Sequence, residues 1–101
     1  MSISTSIPES GNPITIKVTG RFDFSTHKAF ITAYKEYPKG EKDFIVDLSS
    51  AEYLDSSAMG MLLQLREYSS KKPSSVVLSN GNAAIKEILK IANFEKLFTI
   101  K

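Results

Sequence analysis

Four serines and two aspartates are crowded into one segment, Asp47-Leu-Ser-Ser-Ala-Glu-Tyr-Leu-Asp-Ser-Ser-Ala-Met-Gly60. The chemistry open to them is narrow. A serine hydroxyl is a weak nucleophile until a neighbouring base takes its proton. The only histidine is His27, and it falls in the first turn of an expected helix, where an exposed surface histidine is the ordinary reading. There is no cysteine, which removes a thiolate nucleophile, a thiolate metal site and a disulfide framework together. No G-x-x-x-x-G-K-[ST] or G-x-G-x-x-G phosphate loop is present. Asp23, Asp43, Asp47 and Asp55 lack the spacing of a calcium loop. Catalysis is therefore not expected, and neither is a cofactor or a metal.

What remains is a serine at the mouth of a helix. Asp55-Ser56-Ser57 runs straight into the apolar stretch Ala58 to Leu65. The plain role of Ser56 is an N-cap, its hydroxyl accepting a free backbone N–H of the first turn. The same position would also be compatible with a phosphate. Helix N-termini carry unpaired N–H groups and the positive end of the dipole, so the fold tolerates an anion there. A phosphoryl group would add about −1.5 to −2 charge and a bulky anion to the surface. Ser57 offers a second hydroxyl one residue on, with capping or loop orientation as its plain role. Ser49, Ser50, Ser69, Ser70, Ser74 and Ser75 read as solvated loop or helix-end residues.

The elements that must position this serine follow from the patterning. Ile3 to Ile7 reads as a short edge strand. Pro13 to Gly20 alternates, with Ile14, Ile16 and Val18 on one face of a half-buried strand. Gly20-Arg-Phe-Asp-Phe24 reads as a turn, and Ser25 as the N-cap of a helix over Thr26 to Tyr37. Its inward stripe is Ala29, Phe30, Ala33, Tyr34 and Tyr37, and Pro38-Lys39-Gly40 stop it. Phe44 to Leu48 is rich in β-branched residues and reads as a central parallel strand covered on both faces. A second helix runs from Asp55 and Ser56 to about Lys72, where Pro73 ends it.

At about 100° per residue, Ala58, Met61, Leu62, Leu65 and Ser69 share the core face of that helix. Met59 and Leu63 form a flanking stripe with Arg66. They either pack against a neighbouring helix or dock a partner, and Met59, nearer Ser56, is the better docking candidate. Ser75 to Ser79 is the next strand, Asn80-Gly81-Asn82 a turn, and Ala83 to Ala92 a third helix with Ile85, Ile88, Leu89 and Ala92 inward. Leu97 to Ile100 is a last short strand. Two strands followed by alternating helices and strands imply a single α/β domain over residues 1–101, a mixed, mostly parallel sheet with helices packed against it.

Composition limits the function classes. The apolar content of 42% is that of an ordinary globular chain. The net charge is +2, with basic and acidic residues interspersed rather than striped, so nucleic-acid binding is not expected. No apolar run approaches the ~20 residues that span a bilayer. No charged segment followed by an apolar one opens the chain, so no signal peptide is expected. The expected location is cytoplasmic and the expected state of the free chain is a monomer.

The Asp47–Gly60 segment resembles the signature of the STAS family, specifically its anti-sigma factor antagonists, roughly D-L-x-x-V-x-x-[IML]-D-S-[ST]-G-L-G. Asp47, Leu48, Leu54, Asp55, Ser56, Ser57 and Gly60 match. Gly20-Arg-Phe-Asp23 resembles the family's G-x-[LF]-D turn, and the element order agrees over nearly the whole chain. Ala58-Met59 stands where relatives often have Gly-Leu, and a final helix common among relatives is short or absent here.

The resemblance implies a partner switch. The unphosphorylated protein binds a cognate serine kinase, often itself an anti-sigma factor, and releases it when the serine after the aspartate, Ser56, is phosphorylated, with Ser57 the competing acceptor. A PP2C-type phosphatase reverses the step. The partner surface expected is Asp23, Asp55, Ser56, Ser57, Met59 and Leu63. Asp23 either simply terminates its turn or helps set the Ser56 hydroxyl and the kinase's nucleotide-side groups. The alternative within the same family is a stand-alone subunit docked permanently on the ATPase of an ABC-type transporter.

Overall fold

The structure is a computed structural model that describes residues 3–70, 72 and 75–101; Pro73 and Ser74, named above, lie outside them. The elements run β1 (Ile3–Ser6), β2 (Ile14–Phe22), α1 (His27–Lys35), β3 (Phe44–Leu54), α2 (Ser56–Tyr68), β4 (Val76–Ser79), α3 (Ala83–Ile91) and β5 (Thr99–Ile100). Short 3₁₀ turns precede α1 at Phe24–Thr26 and β5 at Phe94–Lys96. One five-stranded sheet has the order β1-β2-β3-β4-β5. β1 is antiparallel to β2, and the other neighbours are parallel.

Each crossover steps in the same direction across the sheet. Right-handed crossovers therefore place α1, α2 and α3 on one face. The residues that face them, among them Ile14, Ile16, Val18, Phe44, Val46, Leu48 and Leu78, are buried in one cluster with Phe30, Tyr34, Met61, Leu62, Leu65, Ile85 and Leu89. The other face carries two cross-strand rows, Thr15–Ile45–Val77–Thr99 and Lys17–Asp47–Ser79. None of these residues is buried. Here the structure corrects the sequence reading: β3 is covered on one face only, because three same-handed, same-direction crossovers leave no helix for the other.

Two strands also run further than their patterns suggested. β2 continues through Gly20 to Phe22, and β3 through Ser49, Ala51 and Tyr53 to Leu54. The pairing steps from Lys17↔Asp47 to Thr19↔Ser50, and from Gly20↔Ala51 to Arg21↔Tyr53. Each step inserts one extra residue into β3, a bulge. The inward residues Leu48, Ala51 and Leu54 are therefore three apart, which breaks the alternation that marks a strand. Gly20 supplies φ +81 beside the second bulge, a conformation side chains other than glycine rarely adopt.

Three smaller readings change. Leu97 closes the second 3₁₀ turn, so β5 begins only at Thr99. α2 ends at Tyr68, with Ser69 as its C-cap. Ser69 and Ser75 are buried rather than solvated, their hydroxyls 2.7 Å apart, and Ser69 Oγ donates to the Arg66 carbonyl at 2.8 Å. Mutual hydrogen bonding makes that burial tolerable.

Candidate functional site

The site lies where β2 and β3 end side by side. Phe22 and Leu54 are register partners and both side chains are buried. The Asp55 N–H donates to the Phe22 carbonyl at 3.3 Å, tying the two strand ends together. Each strand then delivers an aspartate that starts a helical turn. Asp23 Oδ1 accepts the Ser25 N–H at 3.0 Å and also the Ser25 hydroxyl. Asp55 Oδ1 accepts the Ala58 N–H at 3.0 Å.

This arrangement corrects two capping assignments. Ser25 does not cap the first helix; Asp23 caps the 3₁₀ turn, and α1 starts at His27, with Thr26 at its N-cap position making no side-chain cap. Thr26 Oγ1 instead donates back to the Asp23 carbonyl at 2.8 Å. Ser56 is not the N-cap of α2 either. Asp55 holds that position, and Ser56 is the first helical residue. A carboxylate satisfies an orphan N–H and complements the positive dipole end at once. Ser56 is exposed, and its hydroxyl is engaged by none of the described residues.

Ser57 is half-buried and borders a groove of about 250 Å³ with Phe24, His27, Gly60, Met61 and Gln64. Phe24 is 68% exposed. Its ring stacks on His27 with centroids 5.1 Å apart. The sequence reading passed over Phe24 as part of a turn. The signal was an aromatic residue directly after Asp23 with no apolar partner three or four residues away on the inward stripe. Among the described residues no hydrogen bond joins the His27 ring, stacked on Phe24, to a serine or a carboxylate.

Of the flanking stripe, Met59 is half-buried and packed against the core, whereas Leu63 is 39% exposed. Arg66 Nε donates to the Leu97 carbonyl at 3.0 Å, which fixes the outer edge of that stripe. Asp23, Asp55, Ser56 and Ser57 therefore share one end of the sheet, with Phe24 beside them, while Leu63 lies two turns further along α2.

Charge is organised around Asp23. Arg21 Nε lies 3.3 Å from Asp23 Oδ2, and the Arg21 guanidinium sits 4.7 Å from the centre of the Tyr53 ring. The Ser25 hydroxyl, against an opposing desolvation, holds the Asp23 carboxyl below its ordinary value, with Arg21 and the Ser25 N–H assisting. Asp47, on the open sheet face, is likewise lowered, first by the Ser49 N–H. Both carboxylates are thus held in the charged form. Among the described residues no group of acidic or histidine side chains forms a metal cluster.

A family profile described as Mlab, STAS domain matches residues 5–99. A STAS-domain containing protein of Pseudomonas aeruginosa is 42% identical over 97 residues, spanning 95% of this chain and 96% of the relative. Among solved structures, the anti-sigma factor antagonist SpoIIAA in its unphosphorylated form superposes with TM-score 0.64 at 14% identity, covering 98% of this chain and 86% of that one. An anti-sigma factor antagonist STAS domain from Rhodobacter sphaeroides gives 0.58 at 16%, covering 77% and 84%. A Shewanella loihica protein with a SpoIIAA-like fold gives 0.62 at 13%, covering 98% and 83%. At these identities the structural matches report the shared α/β fold.

Proposed function

This chain belongs to the STAS-domain family, and from that premise we propose that it is a phosphorylation-switched binding protein of the anti-sigma factor antagonist kind, with Ser56 as the acceptor. It acts as a binding module rather than an enzyme. Unphosphorylated, it holds a serine kinase that doubles as an anti-sigma factor; phosphorylated, it releases that partner, and a PP2C-type phosphatase resets it. The nucleotide and its Mg²⁺ come with the kinase.

The observation that carries this reading is the division of labour at the start of α2. Asp55 caps the helix, which leaves Ser56 exposed at the first helical position. A hydroxyl that the fold does not need is free to be modified without unfolding the helix. A phosphate there meets the positive dipole end and the free N–H groups of the first turn, so the helix accepts it. The surface changes instead. About −1.5 to −2 charge appears beside the Asp55 and Asp23 carboxylates. A partner surface fitted to a neutral hydroxyl then faces repulsion and uncompensated desolvation. Fold retained and binding lost is the outcome a partner switch requires. Ser57, half-buried on the groove wall, is less accessible to a kinase.

The test is the intact mass of the protein isolated from its native host, with fragment mapping of any species about 80 Da heavier, the mass of one phosphoryl group. A phosphate on Ser56, with loss of a captured kinase in the Ser56→Asp variant, is the expected result. A phosphate on Ser57 alone moves the acceptor by one residue. Unmodified protein under several growth conditions, together with a stably co-purifying ATPase that ignores Ser56→Asp, would replace the switch with a permanently docked transporter subunit.

A further inference from the structure

At the edge of the sheet beside β2, β1 has no outer neighbour among the described residues. An exposed edge strand presents a row of free N–H and C=O groups and is a template for pairing. Beside it runs a groove of about 520 Å³, lined by Ile3 and Thr5 of β1 and by Lys28, Ala29, Thr32 and Ala33 of α1. The small residues Ala29 and Ala33 leave this trough open against the strand. β1 is antiparallel to β2, and α1 returns antiparallel to β2, so α1 and β1 run in the same direction. Lys28 therefore stands at the Ile3 end of the groove.

The chain carries the complement to this groove in its own sequence. Ile3 and Thr5 pair with Val18 and Ile16, two buried residues of β2, so they lie on the helix side of the sheet. Ile7, the residue just past the end of β1, would continue that alternation if the strand were extended, and is 54% exposed. If a second copy adds antiparallel to β1 about a two-fold axis at Thr5, residue numbers across the pair sum to a constant. Thr5 then faces Thr5, Ser4 faces Ser6, and Ile3 faces Ile7. Paired residues share a sheet face, so Ile7 of each copy falls over the trough formed by Ile3, Ala29 and Ala33 of the other. Glu9, two residues beyond Ile7, is carried towards the end of the groove where Lys28 stands, opposite in charge.

We infer that this edge is a homodimer interface, in which two β1 strands pair about Thr5 to form a continuous ten-stranded sheet and the occupant of each groove is Ile7 of the second copy. The interface is isologous, as a two-fold pairing requires. It departs from the monomer expected from the sequence and does not rest on phosphorylation of Ser56. Ser25, which bonds the Asp23 carboxylate, also lines this groove, so the interface reaches the Asp23 edge of the switch surface. Only a few residues pair, so association is weak, at the low end of specific interfaces.

Two measurements test it. In sedimentation velocity the wild-type chain passes from monomer to dimer as its concentration rises to millimolar, and Ile7→Asp weakens association at least about tenfold, the effect of burying an unpaired charge. Because the chain has no cysteine, single cysteines report the register. Thr5→Cys, on the axis, lies within disulfide reach of itself and crosslinks at least about tenfold faster than Ser4→Cys, off the axis, or Glu87→Cys on α3.

A chain monomeric throughout this range overturns the inference. So does a dimer indifferent to Ile7→Asp, or equal crosslinking at Thr5 and Glu87, since either places the contact on another face. If the chain stays monomeric and the β1 amides become protected only when a captured kinase is added, the groove takes a strand of that partner and the second copy is wrong.

Discussion

The Asp55 carboxylate accepts the Ala58 N–H at 3.0 Å, so α2 is capped by the residue before Ser56 and not by Ser56 itself. Asp55→Ala removes the cap and costs about 1 kcal/mol. Asp55→Asn keeps an accepting oxygen at the same position and costs only a few tenths. Urea denaturation midpoints for the two variants separate these outcomes. Equal losses would mean that the carboxylate's charge, not its hydrogen bond, holds the helix start.

Ser56→Asp places a negative charge in the first turn of α2, where the helix dipole favours it. Its unfolding free energy should stay within about 0.5 kcal/mol of wild type, the usual range of an exposed substitution, while capture of the partner is lost. Matching circular dichroism melts alongside failed capture would locate the switch in surface charge. A large drop in the melting temperature would instead make it an order–disorder switch.

Much of this arrangement was legible from the residues. Ile14, Ile16 and Val18 alternate cleanly, and Ala58, Met61, Leu62 and Leu65 keep helical spacing; all are buried as their periods require. The end of β3 was not legible, because its bulges space Leu48, Ala51 and Leu54 by three and so hide a strand inside a polar, serine-rich stretch. The capping roles were misassigned by one or two residues because Asp-Ser and Asp-Phe-Ser each offer two good N-caps, and only backbone geometry selects the aspartate. The bare sheet face was hidden as well. Ile45 and Val77 make β3 and β4 read as apolar throughout, although these two residues are only half-buried on the open side.

Phe24→Ala should separate binding from stability. The ring is largely exposed and touches His27 across a shallow groove, so its removal costs little folding free energy. If the partner docks across Ser56, an exposed aromatic on the adjoining groove is the kind of residue that anchors an interface, and truncating it should cost about 2 kcal/mol of affinity, some thirtyfold. Leu63→Ala, two turns away, should cost less. Calorimetric titration of the captured kinase with both variants ranks them, and the opposite order would move the interface towards Arg66 and Leu97.

Acid sensitivity follows from Asp23 and Asp47, whose carboxyls are both held below the ordinary value, by the Ser25 hydroxyl and by the Ser49 N–H respectively. A carboxylate with a lowered folded-state value contributes stability that is fully present above the unfolded value, about pH 4, and is lost as pH falls through the folded value. Stability should thus be flat from neutral pH to about pH 5 and decline below that. Asp47→Asn and Asp23→Asn should each lower the neutral plateau of urea midpoints plotted against pH and flatten the acid limb, because the amide carries no charge for acid to remove. An unchanged acid limb in the double variant would assign the decline to other carboxylates.

The buried pair Ser69 and Ser75 offers the sharpest test of packing. Their hydroxyls are 2.7 Å apart, and both residues are almost fully enclosed between the end of α2 and the start of β4. Removing one hydroxyl changes the two sites unequally. Ser75→Ala leaves Ser69 Oγ its bond to the Arg66 carbonyl, so the loss should be near 1 kcal/mol, that of one ordinary hydrogen bond. Ser69→Ala strips Ser75 Oγ of its partner in a buried setting, and the loss should approach about 2 kcal/mol. The double variant leaves no orphaned hydroxyl and should cost less than the sum, a coupling of about 1 kcal/mol in a double-mutant cycle from urea denaturation. Strict additivity would mean that water reaches the pair, and that the junction between α2 and β4 opens more readily than its burial implies.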